Sequence, residues 1–159
     1  MSKAFALIEL MVVVSMVLMI STGGIVFFNK FNTNQKLDKT KSELVSMFRL
    51  AQNYAKVKQT PSGYLGTDIK YVKLLKNGSG DMEVSLNGTT QYFSKKLSES
   101  GATFSIVPST LYYWAGTGQL SSDVLGNFYN SNQKATVTVT NTGNGNTKTI
   151  LIDYMGRVE

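Results

Sequence analysis

The hydrophobic and polar positions of this chain change their period twice, and each change predicts a different kind of element. From Phe5 to Phe28 nearly every position is apolar, and Glu9 is the one charged residue. A helix of these 24 residues would span about 36 Å at ~1.5 Å per residue, which exceeds the ~30 Å hydrocarbon core of a bilayer. The segment is therefore predicted to be a transmembrane helix.

An amphipathic pattern follows the apolar segment. Its apolar residues recur at helical spacing, and charged residues occupy the other faces. The apolar positions are Leu37, Leu44, Phe48, Ala51 and Ala55. We expect one helix from residue 5 to about residue 58, roughly 80 Å long. It should end before Thr60-Pro61-Ser62-Gly63, because proline disfavours helix at the preceding residue.

From residue 60 onward the pattern is that of short strands separated by turns. Asn87-Gly88 is a strong two-residue hairpin signal, and Asn141–Asn146 is a longer turn between two alternating runs. Pro108-Ser109 separates two further runs. The predicted strands are Met82–Leu86, Thr89–Phe93, Ala102–Val107, Leu111–Ala115, Ala135–Thr140 and Thr147–Tyr154. The predicted fold class is α+β, with an antiparallel β-sheet packed on the apolar face of the long helix.

Composition narrows the classes of function. The chain has 159 residues and leaves about 130 after the apolar segment, enough for one modest soluble domain. It has no cysteine and no histidine, which excludes disulfides, Ser-His-Asp and Cys-His nucleophilic centres, and histidine metal sites. We therefore expect no enzymatic activity, no cofactor and no small-molecule substrate.

The net charge of +6 is concentrated in one part of the chain. Residues 1–28 are neutral, residues 29–59 carry an excess of five positive charges, and residues 60–159 an excess of one. A basic stretch beside a membrane segment can contact anionic lipid or acidic surfaces of neighbouring subunits, and a solvated helix face is the simpler alternative. The nearly neutral C-terminal part argues against nucleic-acid binding unless its cations converge on one face. Those cations are Lys95, Lys96, Lys134, Lys148 and Arg157.

Glu9 is costly at its position, because an ionised carboxylate within a membrane helix costs roughly 2.5–3.5 kcal/mol. Its presence calls for a partner or a use. The surrounding residues, Lys3-Ala4-Phe5-Ala6-Leu7-Ile8-Glu9-Leu10, resemble the processing site of type IV prepilins and type II secretion pseudopilins. That family's pattern is a basic leader ending in glycine, then Phe-Thr-Leu-Ile-Glu-Leu and a long apolar helix. This chain has Ala4 where the family has glycine.

The resemblance implies a precursor that is processed before assembly. A membrane-embedded prepilin peptidase would cut between Ala4 and Phe5 and methylate the new amine of Phe5. Glu9 would then be the fifth residue of the mature chain and the assembly glutamate of the family. The Phe5 amine is mostly cationic at neutral pH, so it could pair with Glu9 of a neighbouring subunit and set the axial register. A Glu9 side chain that extends to the membrane interface is the alternative.

The resemblance also divides the chain into segments. These are a leader peptide (1–4), a transmembrane and assembly helix (5–28), an amphipathic stalk helix (29–59) and a β-rich globular head (60–159). Bacterial pilins often contain a stretch that melts in the filament, and Gly23 and Gly24 are the candidates here. Close packing of small residues between membrane helices is the alternative. The alanine-rich stalk face ending near Ala55, and strands closing on Asp153–Arg157, loosely resemble H-type minor pseudopilins and related minor pilins.

Three motifs after residue 60 could carry ligand chemistry, and each has a simpler structural interpretation. Asn77–Glu83 could bind calcium, but its spacing matches no EF-hand and its residues are typical of a turn. Gly116–Gly118 lacks the helix and third glycine of a nucleotide-binding loop, so a turn is expected. The aromatic run Tyr112–Trp114 could be an adhesive or base-stacking surface, whereas aromatic residues on a strand more often pack in the core and between strands.

These patterns together predict a structural subunit of a type IV pilus or pseudopilus, polymerised through its N-terminal helix. Its partners would be other copies or related pilins, the peptidase and an inner-membrane assembly platform. It would cross the cytoplasmic membrane once, with a cytoplasmic N-terminus, before entering a cell-surface filament or periplasmic pseudopilus. The alternatives are a DNA-binding minor pilin of a DNA-uptake pilus, and an enzyme or sensor with a single-pass anchor. A secretory signal peptide is disfavoured, because its apolar core is only ~7–15 residues long.

Overall fold

The protein is α+β, as predicted. The computed structural model describes residues 2–58, 60, 68–88, 90–95, 97 and 101–159, without the side chains of residues 2–6, 22, 23 and 90–92. Over these residues there is one α-helix, α1 (Ser2–Val57). The strands that follow are β1 (Tyr71–Lys76), β2 (Met82–Leu86), β3 (Thr90–Lys95), β4 (Ala102–Val107), β5 (Thr110–Trp114), β6 (Leu120–Ser121), β7 (Ala135–Asn141) and β8 (Thr147–Ile152). All their pairings are antiparallel.

The chain divides into two compact units. The first, Met1–Gln35, is called here the apolar unit, and it holds the N-terminal part of α1. The second, Lys36–Glu159, is called the core unit. It holds the rest of α1 and all the described strands, so the amphipathic part of the helix belongs to the same unit as the sheets.

Within the core unit, α1 buries one face, as its sequence spacing predicts. The five predicted apolar positions are all buried: Leu37, Leu44, Phe48, Ala51 and Ala55. The charged Lys36, Lys39, Arg49 and Lys56 are exposed. Thr40 and Gln52 are buried on the same side as the apolar residues. The Thr40 hydroxyl donates to the Lys36 carbonyl at 2.9 Å, so its proton is satisfied within the helix.

Helix α1 ends at Val57, one residue before the predicted limit. Lys58 has a φ of +52°, which turns the chain out of the helix, and its N–H donates to the Ala55 carbonyl at 3.3 Å. The same carbonyl accepts the N–H of Gly116 at 2.9 Å, so a distant loop caps the helix. Pro61, the predicted stop signal, lies outside the described residues.

The predicted strands are present, and two further ones, β1 and β6, were not anticipated. Asn87-Gly88 forms the predicted β2–β3 turn, with φ values of +50° and +73°. The predicted turn after β7 is built on Asn141, whose Oδ1 accepts the N–H of Gly143 at 2.8 Å. Residue 89, the predicted first residue of β3, lies outside the described residues.

The strands form two antiparallel sheets, where the sequence indicated one. The larger sheet has the order β3-β2-β1-β5-β6, and the smaller has the order β4-β7-β8. Strand β4 pairs with β7, and β5 pairs with β1. Pro108-Ser109 therefore joins strands of different sheets. The register of the β4–β7 pair places the buried residues of both strands on one face, as Phe104 opposite Val139 and Ile106 opposite Val137.

One hydrophobic core joins the two sheets and the buried face of α1. Its largest fully buried side chains are Tyr113 and Phe48. A tight junction lies beside Tyr113, where Gln52 donates to the Met155 carbonyl at 2.7 Å and to the Gly118 carbonyl at 3.3 Å. The C-terminal residues are also held, because the Glu159 N–H donates to the Leu151 carbonyl at 2.9 Å.

Candidate functional site

The apolar unit has exposed apolar side chains on every side of its helix. Consecutive large apolar residues, such as Leu10 to Val14, point in all directions around α1, and all are exposed. A helix that is apolar all round is stable in a membrane or among other apolar helices, not in water. By length and composition this helix could cross a membrane. Among the residues that the structure describes, it is the one helix that could do so.

Glu9 stands apart from the other polar side chains of this segment. Between Leu7 and Phe28, the polar side chains that the structure describes are Glu9, Ser15 and Ser21. The Ser15 hydroxyl donates to the Val12 carbonyl at 2.8 Å, and the Ser21 hydroxyl donates to the Val17 carbonyl at 2.7 Å. Both serines are thus satisfied within their own helix, as an apolar environment requires.

Glu9 makes no such hydrogen bond within the described part of its own helix. It is exposed, and no hydrogen bond or ion pair joins it to any residue that the structure describes. A carboxylate in apolar surroundings is stable only when it is paired or reaches water. A partner for Glu9 would therefore come from outside the described residues or from solvent.

The predicted processing site and helix-melting point stay predictions. The backbone of Ala4 and Phe5 is helical, and their side chains lie outside the description. The helix continues through Gly23 and Gly24 without a break. A Cβ added at Gly24 would meet no atom within 4 Å, so this glycine leaves an open surface on the helix.

In the core unit most cations of the basic stretch of α1 are exposed, and the two carboxylates of the stretch are paired with cations from the sheets. Asp38 pairs with Lys148, and the Glu43 carboxylate lies 3.4 Å from Lys95 Nζ. Such exposed pairs contribute only about 0–1 kcal/mol each. They remove the negative charges from the stretch, however, and leave its other cations to set the local potential.

The cations considered for nucleic-acid binding do not form a free basic surface. Each one that the structure describes is paired with a carboxylate, as Lys95–Glu43, Lys134–Glu159, Lys148–Asp38 and Arg157–Asp153. Arg157 makes two bonds to its partner, because its Nε and its backbone N–H both donate to the buried Asp153 at 2.8 Å. Lys96 lies outside the described residues. These four paired cations therefore give the DNA-uptake hypothesis no support.

The calcium and nucleotide motifs both form turns. Asn77 Oδ1 accepts the N–H groups of Ser79 and Asp81, and the chain turns at Gly80, whose φ is +85°. One carboxylate oxygen of Asp81 is buried without a hydrogen-bond partner. No group of three or more candidate metal-binding side chains occurs among the described residues, and calcium binding stays a prediction. Gly116 instead caps α1, as described above.

The aromatic run divides between the two faces of its strand. Tyr113 is fully buried, and desolvation together with the nearby Asp153 carboxylate raises the pKa of its phenol far above the ordinary value. Tyr112 and Trp114 lie on the outer face, where both contact Tyr71. Their ring centroids are 5.4 Å and 6.4 Å from that of Tyr71, respectively. The packing interpretation is therefore confirmed for this strand.

Sequence reasoning missed the loop that follows β6. Asp123 Oδ1 accepts the N–H groups of Leu125 at 2.9 Å and Asn127 at 3.1 Å, which makes a tight turn. These bonds, led by those from Asn127, lower the pKa of Asp123 below its ordinary value, so the carboxylate stays charged at neutral pH. The signal was present in Ser121-Ser-Asp-Val-Leu-Gly-Asn127, where Asp, Gly and Asn are typical turn residues.

Comparison with known proteins assigns the chain to no family. No family model matches it, and neither a curated protein nor a solved structure matches it.

Proposed function

We propose that this chain is a structural subunit of a type IV pilus or pseudopilus. A prepilin peptidase would cut it between Ala4 and Phe5 and methylate Phe5. The processed chain would then polymerise through its apolar helix, with other copies or related pilins as its partners and an inner-membrane assembly platform as its site of entry. The precursor would cross the cytoplasmic membrane once, with its N-terminus in the cytoplasm.

The observation that carries this proposal is the isolation of Glu9. It is the polar side chain of the described apolar segment that its own helix does not satisfy, and it occurs in the prepilin-like motif. Cleavage before Phe5 would create a cationic amine four residues away along the chain. Pairing with a neighbour's amine adds little net stability, but a register that leaves the carboxylate unpaired is strongly disfavoured. Glu9 would therefore set the stagger between subunits.

The test is Glu9→Gln in cells whose only copy of this chain is the variant. Glutamine keeps the shape and removes the charge, so the helix should enter the membrane at least as readily as before. We expect the variant to be cut normally and to yield few or no filaments. Filaments sheared from the cells are quantified, and mass spectrometry of the membrane fraction and the filaments identifies the N-terminal residue and its methylation.

The matched control is Ser21→Ala, a polar residue of the same segment whose hydroxyl is already satisfied. It should assemble like the unmodified chain. Normal assembly of Glu9→Gln would show that Glu9 has no registry role. Filaments containing only chains that begin at Met1 or Ser2 would contradict the processing step.

A further inference from the structure

The loop between β6 and β7 presents an apolar tip on the outside of the core unit. Within Ser122–Phe128, Leu125 is 83% exposed, Val124 47% and Phe128 45%. These three side chains lie within five residues of one loop, and clustered exposed apolar side chains mark interaction surfaces. We call Val124-Leu125 the apolar tip.

The apolar tip is held in a defined position. Asp123 accepts two backbone N–H groups of the loop, and Gly126 lies against Trp114, since a Cβ added there would be 3.4 Å from the indole ring. Phe128 makes an edge-to-face contact with the same indole at 5.6 Å between centroids. A tip that is already ordered loses little conformational entropy when it docks.

A groove of complementary character lies on the exposed side of α1, within the same core unit. Every lining residue belongs to α1, so this is a shallow groove between rows of side chains on one helix face, and its apolar lining comes from Val45 and from Leu50, which is 39% exposed. Lys41 and Arg49 also line it. No carboxylate pairs with either cation in the described part of the chain, and the one acidic lining residue, Asp38, is paired with Lys148. We call this region the α1 groove.

The apolar tip and the α1 groove both expose apolar side chains, and the charges beside them are opposite in sign. The tip is apolar and is preceded by the ionised Asp123, and the groove has an apolar lining and an excess of positive charge. They lie on different faces of the core unit, because the tip loop covers Trp114 on the outer face of the larger sheet, whereas the groove is on α1. One copy therefore cannot make this contact with itself.

We propose that the apolar tip of one copy docks in the α1 groove of a second copy. This inference rests on the proposed filament function and identifies a contact between core units that would accompany helix packing. Because two different surfaces meet, the contact is heterologous, and repetition of a heterologous contact that does not close generates an open helical array. Asp123 would lie near Lys41 and Arg49 of the neighbour and favour this orientation.

The absence of cysteine allows a direct test in the full chain. Val124→Cys and Ser46→Cys are introduced together, Ser46 being an exposed residue that lines the groove. Filaments and membranes are oxidised, and disulfide-linked species are resolved by electrophoresis. We expect a ladder of multimers from the double variant, because each copy carries one cysteine of each kind. Cells that express the two single variants together should yield dimers only.

The matched control is Val107→Cys with Ser46→Cys. Val107 is also an exposed valine, 66% exposed, and it lies on β4 outside the apolar tip. This pair should give no ladder. A second arm adds Leu125→Ser to the cross-linking pair, which should reduce the ladder at least about tenfold. Val107→Ser added in the same way should leave it unchanged.

The outcomes separate this contact from the filament function. Filaments without a ladder would overturn the contact and leave the function standing, whereas a ladder in membranes that never yield filaments would support the contact and contradict the function. Strong dimers from Val124→Cys alone would show that tips meet tips and would overturn the proposal. Protection of that cysteine from a membrane-impermeant maleimide in cells without filaments would assign the tip to lipid and overturn it as well.

Discussion

At the scale of single residues, the glycines around Tyr113 set the closest packing in the core unit. Gly156 has a φ of +78°, and a Cβ added there would lie 2.5 Å from the Gly118 carbonyl oxygen and 2.7 Å from the Tyr113 ring. It would also lie 2.8 Å from Gln52 Nε2, which holds α1 to this junction. Helix, sheet and C-terminal turn thus meet at a point where only a hydrogen atom fits.

We expect Gly156→Ala to destabilise the protein by roughly 2–5 kcal/mol, since the left-handed backbone costs ~1–2 and overpacking ~1–3 kcal/mol. Urea unfolding of the full chain in detergent, followed by the fluorescence of the single tryptophan, Trp114, measures the change. The control is Gly145→Ala, at a φ of +71° with no atom within 4 Å of the new Cβ. It should cost only about 1–2 kcal/mol. Equal losses for the two variants would mean that the junction can relax.

At the scale of elements, two non-glycine residues with positive φ end elements in different ways. Lys58, at +52°, terminates α1 and its side chain makes an exposed ion pair with Asp68. Asn87, at +50°, closes the β2–β3 turn. Its Oδ1 accepts the N–H of Lys70 at 2.8 Å, and its Nδ2 donates to the Asp68 carbonyl at 3.2 Å. The steric cost of positive φ is therefore offset at Asn87 by hydrogen bonds from its side chain to the backbone. At Lys58 the side chain makes only an exposed ion pair.

This difference predicts opposite effects of the same substitution. Lys58→Gly should stabilise the protein by up to about 1 kcal/mol, because glycine adopts positive φ without steric cost and is common at this helix position. Asn87→Gly should destabilise it by about 1–2 kcal/mol, because backbone groups lose their partners. Both are measured by urea unfolding at ~1 M salt, where the exposed Lys58–Asp68 pair is screened. Destabilisation by Lys58→Gly would show that its side chain matters more than its backbone.

At the scale of the whole molecule, the core is confined to one of the two units. Every buried apolar side chain that the structure describes lies at Leu37 or later, and the described side chains of the apolar unit have no share in the core. The basis of stability therefore differs between the units. The core unit buries its own apolar surface, whereas the apolar unit needs lipid or other helices.

Deletion of residues 1–28 should therefore leave the fold of the core unit intact. We expect the fragment 29–159 to be monomeric at low concentration and to unfold within about 0.5 kcal/mol of the full chain in detergent. Circular dichroism and urea unfolding by Trp114 fluorescence test this. The fragment 46–159 is the control, since it lacks the buried Leu37 and Leu44 and should lose at least about 4 kcal/mol. An unfolded 29–159 fragment would mean that the apolar unit contributes to folding.

The sequence by itself determined the long helix and six of the eight strands that the structure describes. The spacing of Leu37, Leu44 and Phe48 predicted the buried face of α1, and Asn87-Gly88 and Asn141–Asn146 predicted their turns. Glu9 was equally visible as a lone charge in an apolar run. These features depend on a side-chain period or on a few adjacent residues, so they can be inferred without any knowledge of distant contacts.

Only the tertiary structure decided which elements meet. It paired β4 with β7 instead of β5, capped α1 with Gly116, joined Lys148 to Asp38, and placed the apolar tip and the α1 groove on different faces. Each of these contacts joins residues far apart in the chain. Which of them form depends on how all the apolar faces can be buried together, and no local pattern records that choice, because strand alternation has the same period in β4, β5 and β7.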